Sequence, residues 1–159
     1  MPEAFVAGLD GQTRKKAIDI LNDNLAEVIA LTLAVKQAHW NLKGAGFIGV
    51  HELLDDVADR LRDGADLMAE RAVILGGVAR GTLEVAAETA KMEAYPVEEE
   101  DINAHIMALK DRFLTVGESV RKGMDAAGEA GDEDTADILT EVSRAIDKDA
   151  WFIGANASK

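Results

Sequence analysis

The sequence predicts an all-α fold: four long helices in a bundle, with a short extra helix in the long connection between the second and third. Three observations carry that expectation. Pro occurs only twice in 159 residues, and hydrophobic (48%) and charged (30%) residues are mixed along the chain, a composition of helical globular domains. Apolar residues recur at steps of three and four, the signature of a helix with one buried stripe. No segment carries a strand signal.

A single domain is expected over 1–159, with 1–12 as a short N-terminal extension. The first helix is expected from about Thr13 to Lys43, with Ile18, Leu21, Leu25, Val28 and Ile29 on its apolar side, and Gly44-Ala45-Gly46 stops it. The second is expected from about Phe47 to Leu75, ending at Gly76-Gly77. Its stripe of Val50, Leu54, Val57, Leu61, Ala65, Met68, Ala72 and Leu75 makes a bundle-type seam. The short extra helix falls near Leu83 to Thr89. Tyr95-Pro96 breaks the chain, and Glu98-Glu99-Glu100 suits the first turn of the third helix, which carries Ile102, Ile106, Leu109, Phe113, Val116 and Val120. Gly128 to Gly131 is expected as a loop, and the fourth helix runs from about Asp132 to Ile153.

The chain has no Cys, which excludes disulfides and thiolate metal sites. Its opening residues lack the basic start and apolar run of a signal peptide, and VIALTLAV is too short to span a bilayer. A cytoplasmic protein is the expectation. The net charge of −13 repels nucleic-acid phosphates and attracts cations.

The stretch HELLDDVADRLRDGADLMAE, residues 51–70, holds two polar pairs at helical spacing: His51 with Asp55, and Asp66 with Glu70. At about 100° per residue, with His51 as zero, Asp55, Asp66 and Glu70 lie at about 40°, 60° and 100°, off the core face. A solvated acidic face would look the same. Asp55 and Asp66 are about 16.5 Å apart along the axis at ~1.5 Å per residue. With metal–ligand bonds of only about 2.0–2.2 Å, one metal cannot use both from one helix. An antiparallel second copy across a twofold axis removes the difficulty. The pairs His51/Glu70 and Asp55/Asp66 share one midpoint, between Arg60 and Leu61, so each half-site of one chain meets the other half-site of its mate.

A further ligand comes from QAHWNLKG. His39 lies six residues before Ala45 and His51 six after it, so a helix hairpin makes them neighbours. Two imidazoles and three carboxylates without sulfur suit iron, manganese or zinc.

These residues resemble those of the Dps family, mini-ferritins named as DNA-binding proteins from starved cells. The resemblance rests on HWNLKG, FIGVHELLD, DLMAERAVILGG, DEDTADIL and DKDAWFI, and covers the chain beyond its first dozen residues. It implies a ferritin-like bundle assembled into a hollow dodecamer. It implies ferroxidase sites at dimer interfaces, with His39, His51 and Asp55 from one chain and Asp66 and Glu70 from its mate. It further implies that Fe(II) is oxidised, preferably with hydrogen peroxide, and stored as Fe(III) mineral, protecting the cell from oxidative damage. No His here has Glu three residues before it, which disfavours the ordinary ferritin di-iron motif. A shell that protects by binding DNA is the alternative. MPEAFVAGLDG contains no Lys or Arg, and the C-terminal NASK offers one Lys, which argues against tight direct DNA binding.

Trp40 is read either as packing at a helix end or as an auxiliary aromatic that takes up oxidising equivalents. Trp151 and His105 are expected to be structural, and the methionines to fill the core. Asp132, Glu133, Asp134 and Asp137 suit a helix start by charge. The resemblance also places this region at threefold pores, where Asp132, Asp134 and Asp137 would attract Fe(II). Asp59 and Arg62 share the same midpoint, so the antiparallel pairing brings each near the other's counterpart on the mate.

Overall fold

The computed structural model describes residues 2–157. Its elements in order are α1 (Gly11–Asn41), α2 (Phe47–Ile74), the short α3 (Leu83–Thr89), α4 (Ile102–Ala130) and α5 (Glu133–Gly154). Among the described residues the only bridge pairing is one isolated contact, Lys43 with Asp101. No helix there is long and apolar enough to cross a membrane.

Side-chain caps set most helix starts. Asp10 accepts from the Thr13 N–H (2.8 Å), Asp101 from Ala104 (2.8 Å) and Asp132 from Thr135 (3.1 Å). The Asp10 cap starts α1 two residues before the expected Thr13. The expectation that Glu98-Glu99-Glu100 forms the first turn of the third long helix is corrected: α4 begins at Ile102. Glu99 instead closes the approach, its carboxylate accepting from the Glu100 and Asp101 N–H groups at 3.0 and 2.9 Å. The expected loop over Gly128–Gly131 is also corrected. Helix α4 continues through Ala130, and only Gly131, at φ 88°, leaves it.

Helices α1 and α2 form one hairpin and α4 and α5 another; α1 packs on α4, and α2 on α5. The connection from α2 lays α3 against α1 and returns to the C-terminal end of α1. There the Lys43 N–H donates to Glu100 O (2.7 Å) and the Ile102 N–H to Lys43 O (3.0 Å). Helices α2 and α4 therefore run parallel, as a long crossover in a bundle demands.

The apolar stripes meet along the bundle axis. Leu21, Leu31, Leu54, Met68, Leu109, Phe113, Leu139, Ile146 and Ile153 are fully buried. Each contributes about 1.5–3 kcal/mol by leaving water. Met107, in contrast, is 39% exposed, so the methionines are not uniformly core residues. Trp151 is 68% exposed in the single chain, beside Phe152. Ala150 and Ile153 carry the seam there, and Trp151 falls outside it.

Two ion pairs with buried carboxylates tie α2 to the start and body of α5. Arg60 donates to Asp149 through Nη2 (2.6 Å) and Nε (3.0 Å). Arg71 donates to Asp132 (2.7 Å), whose other oxygen accepts from the Thr135 hydroxyl (2.6 Å). With both partners satisfied, removing one would strand the other's charge.

The N-terminal extension is bound to the bundle. The Phe5 N–H donates to Ile74 O (2.8 Å), and Val6 and Leu9 pack on the core. The C-terminal Lys159 of NASK lies outside the described residues.

Candidate metal centre

The α1–α2 turn is tight because two glycines allow it. Gly44 adopts φ 141°, and a Cβ there would come within 2.6 Å of Ile102; Gly46, at φ 79°, precedes α2. This turn brings His39 and His51 face to face. Their rings stack with centroids 3.7 Å apart and planes 15° apart.

The two histidines orient each other. His39 Nδ1–H donates to the His51 carbonyl, and His51 Nδ1–H donates to the His39 carbonyl, both at 2.8 Å. A carbonyl only accepts, so each Nδ1 carries the proton. With that proton placed, Nε2 is the ring nitrogen through which each histidine would bind a metal. The His39 carbonyl belongs to the last turn of α1, where helix carbonyls lack intrahelical partners. The histidine bond thus completes the helix end while fixing a tautomer, as ligand-orienting hydrogen bonds do.

Asp55 joins them, with Oδ1 3.5 Å from His39 Nε2 and 2.5 Å from Lys36 Nζ. The Lys36 hydrogen bond, with smaller help from the nearby histidines, holds the Asp55 carboxyl below the usual carboxylate range. His39 is buried, His51 half-buried and Asp55 exposed. Phe47 stacks on the outer side of His51 at 4.9 Å. Sequence reasoning missed Lys36 and Phe47. Their signal was spacing: Lys36 lies three residues before His39, and Phe47 four before His51, on shared helix faces.

Asp66 and Glu70 do not join this group. Both are exposed, three and four turns further along α2. Within one chain no three His, Asp or Glu side chains among the described residues converge as a metal site. Trp40 is 65% exposed and carries Lys36 Nζ 5.7 Å from its ring centroid, so it does not close the helix end by packing. Asp59 pairs with Arg62 of the same chain at 3.0 Å, with both side chains exposed.

The acidic start of α5 separates into two kinds of residue. Asp132 is 1% exposed and committed to Arg71 and Thr135, so it is not a surface carboxylate available to a pore. Glu133, Asp134 and Asp137 face outward.

The ferritin-like domain family matches residues 18–159. The DNA protection during starvation protein of Agrobacterium fabrum is 46% identical over 151 residues, covering 95% of this chain and 93% of that protein. The protein of the same name from Mycolicibacterium smegmatis is 31% identical, over 98% and 85%. Among solved structures, DpsA14 from Streptomyces coelicolor superposes with a TM-score of 0.93 at 34% identity, covering 99% of this chain and 94% of that one. The bundle with its long crossover, the match over nearly its whole length and these relatives agree: the chain belongs to the Dps family of ferritin-like proteins.

Proposed function

We propose that the protein is a ferroxidase and iron-storage mini-ferritin, with sites shared between two chains. His39, His51 and Asp55 of one chain and Asp66 and Glu70 of its mate bind the Fe(II) substrate. The observation that carries this reading is the reciprocal pair of histidine hydrogen bonds, which leaves both Nε2 atoms free of those bonds, with that of His39 beside Asp55. Such a ligand set is mixed nitrogen and oxygen, without sulfur. Carboxylates favour the harder Fe(III) over Fe(II), which promotes oxidation. Lys36 keeps Asp55 ionised and ready to bind a cation.

Hydrogen peroxide is the oxidant in this reading. Two Fe(II) give up one electron each, the O–O bond breaks, and two protons complete two waters. Consuming both reactants together suppresses hydroxyl-radical formation and so protects the cell. The Fe(III) product is stored as mineral in a closed dodecamer, in which twelve copies of the 17.0 kDa chain weigh about 204 kDa. Exposed Asp134 and Asp137 are the pore carboxylates that guide Fe(II) inward. The same reading puts the shell in the cytoplasm, where Fe(II) and peroxide meet.

The relatives' names speak of DNA protection. In this chain the net charge of −13 and an extension without Lys or Arg, held to α2 by Phe5, support protection through iron chemistry rather than tight DNA contact. A gel-shift titration at low and moderate salt tests that point. Metal analysis of protein purified without added metal tests whether zinc or manganese occupies the sites instead. The main test loads Fe(II) without oxygen and then pulses peroxide. Fe(III) absorbance should rise faster than in a protein-free control. A rise no faster than the control contradicts the reading.

A further inference from the structure

Away from the histidine pair, the chain's only tyrosine meets its third histidine. Tyr95 lies in the crossover and His105 in the first turn of α4. The Tyr95 hydroxyl is 2.6 Å from His105 Nδ1, and His105 Nε2 is 2.9 Å from the Glu99 carbonyl. The carbonyl only accepts, so Nε2 carries the ring proton. Nδ1 of the neutral ring is then a base, and the phenol donates to it. His105 is 1% exposed, which keeps water from taking its place.

The surroundings hold this pair in one arrangement. The Arg112 guanidinium lies over the Tyr95 ring, 5.0 Å from its centroid. It is fixed by bonds to the carbonyls of Glu93, Ala94 and Ala108. The Glu99 carboxylate is turned to backbone N–H groups of its own turn. Burial pushes the Tyr95 phenol above its usual pKa, so it rests as the neutral phenol. The half-buried ring borders an apolar groove of about 310 Å³ between α1 and α3, which gives an electron a short route to the surface.

We propose that Tyr95 and His105 form a proton-coupled one-electron donor, at which an oxidising radical formed on or near the protein is quenched. A fastening role alone would need only an acceptor for the phenol. This acceptor is an imidazole nitrogen, a base already aligned on the proton. Oxidation turns a phenol into a strong acid, and here the proton has a place to go.

The step balances. The oxidant is a hydroxyl radical or a comparable one-electron oxidant, which stray Fe(II)–peroxide chemistry supplies under the function proposed above. Tyr95 gives it one electron, and the radical becomes hydroxide. The phenolic O–H bond breaks, and an N–H bond forms at His105 Nδ1. The products are a neutral phenoxyl radical, an imidazolium and hydroxide. One electron from Fe(II), with the proton returning from Nδ1, restores the phenol.

The test uses the assembled, metal-free protein, so it does not depend on the ferroxidase reading. Flash-generated ruthenium(III) tris-bipyridine serves as the oxidant, and electron paramagnetic resonance identifies the radical. The exposed Trp40 and Trp151 compete for the hole, so both are replaced by Phe in the background. A phenoxyl signal is expected there and is lost on adding Tyr95→Phe. His105→Gln should lower the phenoxyl yield at least about tenfold, because its amide is not a base. Deuterated solvent should slow phenoxyl formation in the background protein, which decides the matter if His105→Gln fails to fold. Absence of phenoxyl in the background, an undiminished yield in folded His105→Gln, or an unchanged rate in deuterated solvent would each overturn the proposal.

Discussion

The two ends of α2 are built differently. At the N-terminal end, His51 is stacked on His39, bonded to its carbonyl and accompanied by Asp55 and Lys36. At the C-terminal end, Asp66 and Glu70 stand exposed on the helix surface. Arg71, immediately after Glu70, points the other way and is buried against Asp132. Under the proposed function, one helix thus carries a finished half-site, an open half-site and a structural anchor. The difference separates what a single chain stabilises from what it leaves for a mate to complete.

The largest expected effect sharpens the contrast between neighbours. Arg71→Ala strands the buried Asp132 carboxylate and should destabilise the fold by about 3–5 kcal/mol. Glu70→Gln should change stability by no more than about 0.5 kcal/mol, as for other exposed positions. Urea unfolding of both variants checks this; equal losses would erase the distinction between anchor and open half-site.

Iron oxidation should respond in the opposite way. Glu70→Gln and His51→Ala should each slow the peroxide-driven reaction by about 100-fold or more, beyond the ~10–100-fold typical of losing a second-shell partner. Stopped-flow absorbance after anaerobic Fe(II) loading measures it. A wild-type rate in Glu70→Gln would remove the open half-site from the chemistry.

A smaller effect concerns Lys36. Its hydrogen bond is the main reason the Asp55 carboxyl titrates below the usual range. Lys36→Met should raise the Asp55 midpoint toward the ordinary carboxylate value. A depressed folded-state pKa stabilises the protein above the unfolded pKa and loses that contribution as pH falls. The variant should therefore show a shallower decline of stability on the acid side. Carboxyl NMR titration of metal-free protein reads the midpoint directly, and an unmoved midpoint rejects the assignment.

The smallest effect lies midway along the helix. Asp59 and Arg62 pair within the chain at 3.0 Å, and a twofold mate would bring a second copy of each nearby. Asp59→Arg should weaken the dimer by roughly 1 kcal/mol or less, and adding Arg62→Asp should restore it. Sedimentation equilibrium decides; a double variant no tighter than the single one breaks the proposed register.

Much of this was legible in the sequence. Steps of three and four marked the first three long helices, because burying one stripe requires them. The spacing of His39 and His51 about Ala45 forecast their contact, since a tight hairpin leaves little freedom of register. Other features were hidden. Asp132 and Asp134 look alike in a row of acids, yet one caps α5 and anchors Arg71 while the other is exposed. The cue was Thr135, three residues on, where a capped turn begins. Gly128 read as a loop residue, but only Gly131 takes the positive φ that ends α4. The role of Lys36 depends on where its long side chain settles, which periodicity does not specify.

The central claim is that each metal site is divided between two chains. His51→Ala and Asp66→Ala, each inactive alone, should be dissociated, mixed in equal amounts and reassembled. Each mixed dimer then holds one site lacking both ligands and one intact site. Random pairing predicts recovery of about one quarter of wild-type iron oxidation. Activity that stays at the level of the separate variants, with subunit exchange shown by mass spectrometry, would place the whole site within one chain and contradict the account.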